Sequence, residues 1–331
     1  MERVRISDIA EELGVSTATV SNVIHGKTHK VSPETVQRVQ ELLEKRQYIP
    51  SMAGILLAQN DSRIIGVVVN AHEKYESRVL EDVFIASALN CLSVEIEQSG
   101  LFMMVKTTTK AADIVQFSSM WNLEGMVLIG FCEEDYQLLR NHIRVPFVVY
   151  DGFFDQPRRI CNLTIDNYDG GFQVGRHFRK LGHQKALCIS DNLVCMDKER
   201  YEGFRAGFGD ADFMLVPMRQ ADRQNFYWEN LEVLRQYTAV FAVSDHYAVE
   251  LIRFLGSQGI SVPGQVSVAG FDDTPICRQM IPSLTSVKQD NQLRAKLALE
   301  NLRALKAGEE TGATIKLPVT LMERESTRAI H

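Results

Sequence analysis

The stretch Gly14–Ile24 reads GVSTATVSNVI, and by intrinsic preference its β-branched residues favour a strand. Spacing argues otherwise. Ser16 is preceded by Val15 and followed by Val20, the two apolar positions of a hydrophobic staple around a serine N-cap. Val20, Val23 and Ile24 then recur at helical spacing on one face, whereas a strand would scatter them over both faces. Thr17, Ala18, Ser21 and Asn22 fall on the opposite face, which is short and polar. The stretch is therefore predicted to be a helix started by Ser16, although position 19 is threonine and not the Glu or Gln that would complete a capping box.

Two further helical patterns flank it. RISDIAEELG predicts a helix capped by Ser7, with Ile9, Ala10 and Leu13 on one side and a stop at Gly14. VSPETVQRVQELLEKRQY predicts a third, with Ser32 as N-cap, Pro33 at the first helical position, and Val36, Val39, Leu42 and Leu43 inward. Two helices joined by a tight glycine turn and followed by a third make a helix-turn-helix unit. A small helical cap on an α/β domain would show the same periodicity. The short face of the middle helix favours DNA, because Thr, Ala and Asn near a helix N-terminus can meet base edges in a major groove without forcing the backbone away.

From Ile64 onward the pattern alternates. Strand-like runs IIGVVVN, LFMMVKT, GMVLIG, PFVVYDG, KALCIS, FMLVPM, AVFAVSD and VSVAGFDD are separated by amphipathic, helix-length segments, and TIKLPVTLMERES reads as a closing strand. That alternation predicts parallel sheets built from right-handed crossovers, long enough for two linked lobes.

Composition narrows the classes. The chain has 331 residues, 45% of them apolar and 24% charged, as expected for a globular protein with a large core. Apolar runs such as Ile64–Val69 and Val145–Tyr150 are far shorter than the roughly 18–20 residues of a membrane span. The acidic, interrupted first twenty residues do not resemble a secretory signal, so a cytoplasmic protein without membrane contact is expected. The six cysteines show no metal-ligand spacing and read as reduced, mostly packed side chains. Net charge is −6, but the cations and anions of residues 1–60 balance, and DNA binding needs only a local basic patch. No phosphate loop, dinucleotide fingerprint, nucleophile elbow or zinc-protease motif is present, and the adjacent Ser244-Asp245-His246 is no triad, since triads assemble from separated positions. The chain reads as a non-enzyme that needs no cofactor.

Six blocks in order, ISDIAEELGVSTATVSNVIHG, VSPETVQRVQELLEKRQYIP, IDNYDGGFQVGRHFRKLGH, ERYEGFRAGF, VPGQVSVAGFDD and PSLTSVKQD, resemble the LacI/GalR family of bacterial transcriptional regulators over essentially the whole chain. The resemblance implies a small all-α helix-turn-helix domain (1–50), a hinge helix and linker (51–61), and a two-lobed, periplasmic-binding-protein-like α/β domain (62–331). One lobe would comprise 62–160 with 291–317, the other 161–290 with 318–331. It implies a homodimer, with a tetramer left open, that binds a near-palindromic double-stranded DNA operator. Such a regulator, most often a repressor, is controlled by a small effector, often a sugar. By position Thr17, Ala18 and Asn22 match base-reading residues, and Ser16, Thr19, Ser21, His25 and His29 match residues that approach the DNA backbone. Leu57 would be the minor-groove wedge of a hinge helix spanning 51–58. There the sequence departs from the family: Gly54-Ile55 stands where Ala-Arg is common, and the glycine alone weakens a helix by about 1 kcal/mol.

In the larger domain the resemblance assigns Asp151, Arg200 and Asp272 to the effector pocket. Both aspartates follow strand-like runs, and ligands bind at the carboxyl ends of parallel strands. Carboxylates and a guanidinium converging there could hold several hydroxyls of a polyol. Ser244 stands where some members have a ligand-touching Asn, while Asp245 reads as a helix cap. A second departure is the segment AHEKYESRVLEDVF, which lacks the aromatic stretch that lines the pocket in many members; Tyr75 or His72 could substitute, or the loop is rearranged. In NFYWEN, Phe226, Tyr227 and Trp228 read as packing residues or as a stacking face for a sugar. A nucleobase or other non-sugar effector is the alternative within the class, and a cytoplasmic solute sensor with little DNA binding is the alternative outside it.

Overall fold

The computed structural model describes residues 4–49, 62–131, 133–152, 160–309 and 314–330. The expected hinge helix, with Gly54, Ile55 and Leu57, lies outside them. The chain divides between Ser62 and Arg63 into two units.

The first unit is three helices, α1 (Ile6–Leu13), α2 (Thr17–Ile24) and α3 (Pro33–Lys45), with a 3₁₀ turn at Thr28–Lys30 before α3. Ile9, Ala10, Val20, Val23, Val39 and Leu42 form its core. Gly14 ends α1 at φ 66°, a left-handed conformation that a glycine adopts without penalty. The expected cap at Ser7 is corrected. Arg5 is the N-cap residue, and its backbone N–H donates to the Asp8 carboxylate at 2.8 Å, so an acid three residues on supplies the partner while Ser7 lies inside the helix.

The second unit contains two six-stranded sheets. The first runs in the order β11-β5-β4-β3-β1-β2, all neighbours parallel, from β1 (Ile64–Asn70), β2 (Phe102–Thr108), β3 (Gly125–Ile129), β4 (Phe147–Tyr150), β5 (Cys161–Ile165) and β11 (Thr314–Leu317). Helices α4 (Val83–Gln98) and α13 (Asn291–Lys306) cover one face. On the other lie α5 (Ala111–Met120) and α6 (Glu133–His142). All five residues of β3 are buried, as a strand covered on both faces requires.

The second sheet, β12-β10-β9-β8-β6-β7, comprises β6 (Ala186–Ser190), β7 (Asp212–Leu215), β8 (Ala239–Ala242), β9 (Ser267–Asp272), β10 (Thr285–Lys288) and β12 (Thr320–Met322), and only β12 is antiparallel to its neighbour. The helices α7 (Asn167–Lys180), α8 (Cys195–Phe208), α9 (Gln220–Glu229), α10 (Leu231–Leu234), α11 (Asp245–Ser257) and α12 (Ile276–Gln279) belong to this lobe. Tyr227 of α9 is buried with its ring 5.4 Å from Phe254, whereas Trp228 is 59% exposed. Cys161, Cys188 and Cys277 are buried free thiols.

Two expectations change. Residues 161–165, assigned to the second lobe, form β5 of the first sheet, hydrogen-bonded between β4 and β11. The closing run TIKLPVTLMERES is no single strand: it breaks around Pro318, which has no amide to donate to a ladder, and contributes β11 to one sheet and β12 to the other. The chain thus passes between the lobes three times, after β5, after β10 and after β11.

Helices α7 and α8 approach backbone to backbone. A β-carbon on Gly171 or Gly175 would collide with the carbonyl of Arg200 or Phe204, and one on Gly203 or Gly207 with that of Tyr168 or Phe172. Glycine recurs every fourth residue on both contact stripes, so the two helices meet without side chains between them. This contact fixes the helix that carries Arg200.

Candidate functional site

The candidate recognition face is built by α2. Ser16 is extended at φ −74°, and its Oγ accepts the Thr19 N–H at 3.1 Å and lies 2.9 Å from the Thr19 hydroxyl. Threonine therefore supplies a hydroxyl where a capping box would have a carboxylate, and Ser32 with Thr35 repeats the arrangement at α3, N–H to Oγ 3.2 Å. No carboxylate joins this face: from Gly14 to Pro33 the sequence has Lys27 and Lys30 and no acidic residue. Val20 and Val23 are buried, Thr17 and Ala18 exposed, and Ser21, Asn22 and His25 half-buried; His29 is exposed on the 3₁₀ turn. The amphipathic split read from the sequence is thus the observed one. Ser16→Ala should cost about 1 kcal/mol, and hydrogen exchange of the α2 amides is expected to speed up about fivefold.

In the larger unit the residues converge on strand ends. Asp151 leaves β4 in the left-handed region at φ 55°; its carboxylate lies 2.7 Å from Arg294 of α13 and accepts from Thr164 Oγ1 at 3.2 Å. Arg294 is 1% exposed, donates to the Leu163 carbonyl at 2.6 Å and covers the Tyr150 ring at 4.1 Å. Arg200 is also buried: Nε donates to Asn167 Oδ1 at 2.9 Å, Nη1 to the Val243 carbonyl at 2.6 Å, and the guanidinium stacks 3.7 Å from Phe271. Nη1 is 4.0 Å from Asp272, which also accepts from Gln289 Nε2 at 2.6 Å. Burial pushes the Asp272 pKa well above the usual carboxylate value; Arg200 opposes this, while the charges of Asp245 and Asp82 add to it.

Arg200 and Asp272 are thus brought together, and Asp151 is paired elsewhere, with Arg294. Ser244 caps α11, accepting the Tyr247 N–H at 3.4 Å. Asp245 caps nothing: it is 1% exposed and accepts from Thr274 N and Oγ1, both at 2.8 Å, and from Ser286 Oγ at 2.5 Å, tying α11 to the segments around β9 and β10. His72 accepts the Lys74 N–H at 3.3 Å, starting the 3₁₀ turn Glu73–Tyr75. Other residues of the site escaped the sequence reading. Asp191 directly follows β6 and is 6% exposed; Asp197 accepts from Ser190 Oγ at 2.7 Å and Asn192 Nδ2 at 2.9 Å; Asp82 caps α4 through Ile85 N at 3.0 Å. Asp191 carries the same signal as Asp151 and Asp272, an aspartate at a strand's carboxyl end, and could have been found by it.

A helix-turn-helix unit followed by a two-lobed α/β unit with parallel sheets defines a class of ligand-responsive regulator, and comparison with known proteins specifies it. Residues 5–51 match the model of bacterial regulatory proteins of the lacI family, and residues 176–327 match the periplasmic binding protein-like domain. The chain thus combines a lacI-family helix-turn-helix region with a periplasmic-binding-protein-like domain. It is 28% identical over 347 residues to an HTH-type transcriptional repressor PurR of Actinobacillus pleuropneumoniae, covering 98% of this chain and 99% of that one. It is 27% identical over 314 residues to the repressor of the same name from Vibrio parahaemolyticus, covering 90% of each. In fold it matches the lac repressor dimer bound to operator and the anti-inducer ONPF, with TM-score 0.84, 23% identity and coverage of 99% of this chain and 100% of that one. A complex of the regulator CelR with cellobiose gives TM-score 0.70 at 22% identity, with coverage of 98% and 100%.

Proposed function

We propose that the protein is a transcriptional repressor that grips a near-palindromic operator as a homodimer and is switched by a small polar effector held between its lobes. The observation that carries the DNA half is the face of α2: short polar side chains outward, a serine-threonine cap, and lysines following without an acid among them. Thr17, Ala18 and Asn22 would read bases, with Ser16, Thr19, Ser21, His25 and His29 against the backbone and Leu57 of the hinge in the minor groove. Arg200 and Asp272 would hold the effector from the second lobe, with Ser244 and Asp151 at its edges, and a sugar or sugar derivative fits their hydroxyl-binding chemistry. Effector binding would bias lobe closure about the three crossings and change operator affinity through a coupling of about 1–3 kcal/mol.

Selection from random duplexes tests the DNA half. A palindrome should be enriched; Asn22→Ala is expected to relax preference at one or two positions per half-site, and Lys27→Ala to weaken all sequences about equally. Failure to enrich any palindrome at low salt would overturn the reading in favour of a solute sensor.

A further inference from the structure

A cavity of about 230 Å³ is lined from both lobes of the larger unit. Glu73 and Lys74, on the 3₁₀ turn after β1, line it from the first lobe, and Met218, Arg219 and Asp222 line it from the second. The second-lobe wall has little backbone support of its own. The run of β7 makes its last ladder bond from Val216 N–H to the Ser190 carbonyl at 2.8 Å, and Pro217 has no amide to donate. Helix α9 begins only at Gln220, and its N-cap residue, Arg219, makes no side-chain cap bond. The segment Pro217–Arg219 therefore lies between a strand and a helix and belongs to neither.

Arg223 holds it. This side chain of α9 is 3% exposed, and its Nη1 donates to the Pro217 carbonyl at 3.1 Å and to the Met218 carbonyl. Its Nε donates to Glu250 Oε2 at 2.6 Å, while Nη2 donates to Glu250 Oε1 at 3.0 Å and lies 3.2 Å from His246 Nε2. A guanidinium has five N–H donors, and these contacts engage all of them. Glu250 and His246 both belong to α11. Burial alone would raise the Glu250 pKa, but the bonds from His246 and Arg223 hold it below the ordinary glutamate value, so the pair is ionised. The guanidinium also lies 4.8 Å from the Tyr247 ring, whose hydroxyl faces Asp191 at the end of β6. A brace between α9 and α11 would need only the Glu250 bonds. The two Nη1 bonds go instead to the residues of the cavity wall.

We infer that Arg223 is a positioning residue of the effector cleft: it carries the wall Pro217–Arg219 on Glu250 and so sets where Met218 and Arg219 meet an effector. It acts through these residues, with no donor left over for a ligand. Lysine cannot take its place, because a single ammonium lacks the planar fork that reaches the carboxylate and the two carbonyls at once. This inference rests on the cleft being the effector site.

Limited trypsin digestion of the full chain without ligand tests it at the bond after Arg219, since cleavage of a folded protein follows the population of locally opened forms. Arg223→Lys keeps the charge beside Glu250 and loses the fork. It is expected to speed that cut about tenfold, the loss of charge-assisted bonds, while cuts after Arg179 and Lys180 of α7 keep their rates. Arg223→Met combined with Glu250→Leu removes both charges together, so the packing of α9 on α11 is kept. That variant is expected to melt near the parent temperature and still to be cut fast after Arg219. An unchanged cut in Arg223→Lys, equal acceleration at every site, or a return to the parent rate in the apolar pair makes Arg223 a mere brace and overturns the inference. Melting shifts with D-glucose, D-ribose, cellobiose and adenine separate the two levels. A compound that stabilises the parent is expected to need about tenfold higher concentration to stabilise Arg223→Lys as much, and an equal requirement overturns the role in binding. A shift that persists in Asp272→Asn places the compound elsewhere, and the cleft reading then fails while the digestion result on the wall stands.

Discussion

Gly203→Ala is expected to lower the melting temperature of the protein by roughly 5–10 °C, equivalent to about 3 kcal/mol. The added β-carbon would occupy the space of the Tyr168 carbonyl oxygen and lie 3.0 Å from the Phe172 amide nitrogen. Backbone atoms of a packed helix cannot rotate aside, so α7 and α8 must separate along their whole shared stripe, where Gly171, Gly175 and Gly207 make equally close contacts. Effector affinity should fall with stability, because Arg200 sits in α8 and reaches Asn167 at the start of α7. Gly256→Ala is the control. It lies in α11 with nothing within 4 Å of its would-be β-carbon, and there the same change should stabilise by roughly 0.5–1 kcal/mol through helix propensity. Matching melting curves for the Gly203 variant and the parent protein would mean that the helices are not in backbone contact.

Asp151→Ala is expected to destabilise the larger unit by about 3–5 kcal/mol, the range found when one partner of a buried ion pair is removed. The group left behind is the Arg294 guanidinium, 1% exposed, whose Nε and Nη1 already lack hydrogen-bond partners. The penalty is the stranded charge and not the lost attraction, so removing both partners should be milder than removing one. Asp151→Ala combined with Arg294→Met is expected to recover most of the loss in a urea or thermal melt, and a double variant as unstable as the single would contradict this account. The same experiment sorts the role of Asp151: if its main work is to hold Arg294, the rescued double variant retains much of its effector affinity.

The helix-turn-helix was legible because a helix announces itself by period: a staple around Ser16 and an apolar stripe at Val20, Val23 and Ile24 outweigh the strand preference of single residues. The sheets were legible as a class because apolar runs alternated with amphipathic segments. Strands β5 and β10 were not anticipated, since CNLTI and TSVK are short and half polar although buried, and the assignment of 161–165 to the wrong lobe followed from that. Within the site, Arg200 and Asp272 were found through the resemblance. The partners that decide what these groups do were invisible, because Arg294 meets Asp151, and Gln289 meets Asp272, through the fold and not through any local spacing. Lys74 and Asp82 lie in a segment of short 3₁₀ turns with no period to read.

The chain's three passages between the lobes make the larger unit indivisible as a piece of inheritance. Each lobe is stitched from segments distant in the gene, with β11 and β12 returned to different sheets by the last residues of the chain. No single cut yields a lobe that keeps all its strands, so new ligand preference has to arise by substitution within the whole. The recognition unit before Arg63 is one continuous segment. Recombination can trade it intact, giving the same sensor a different set of genes to command.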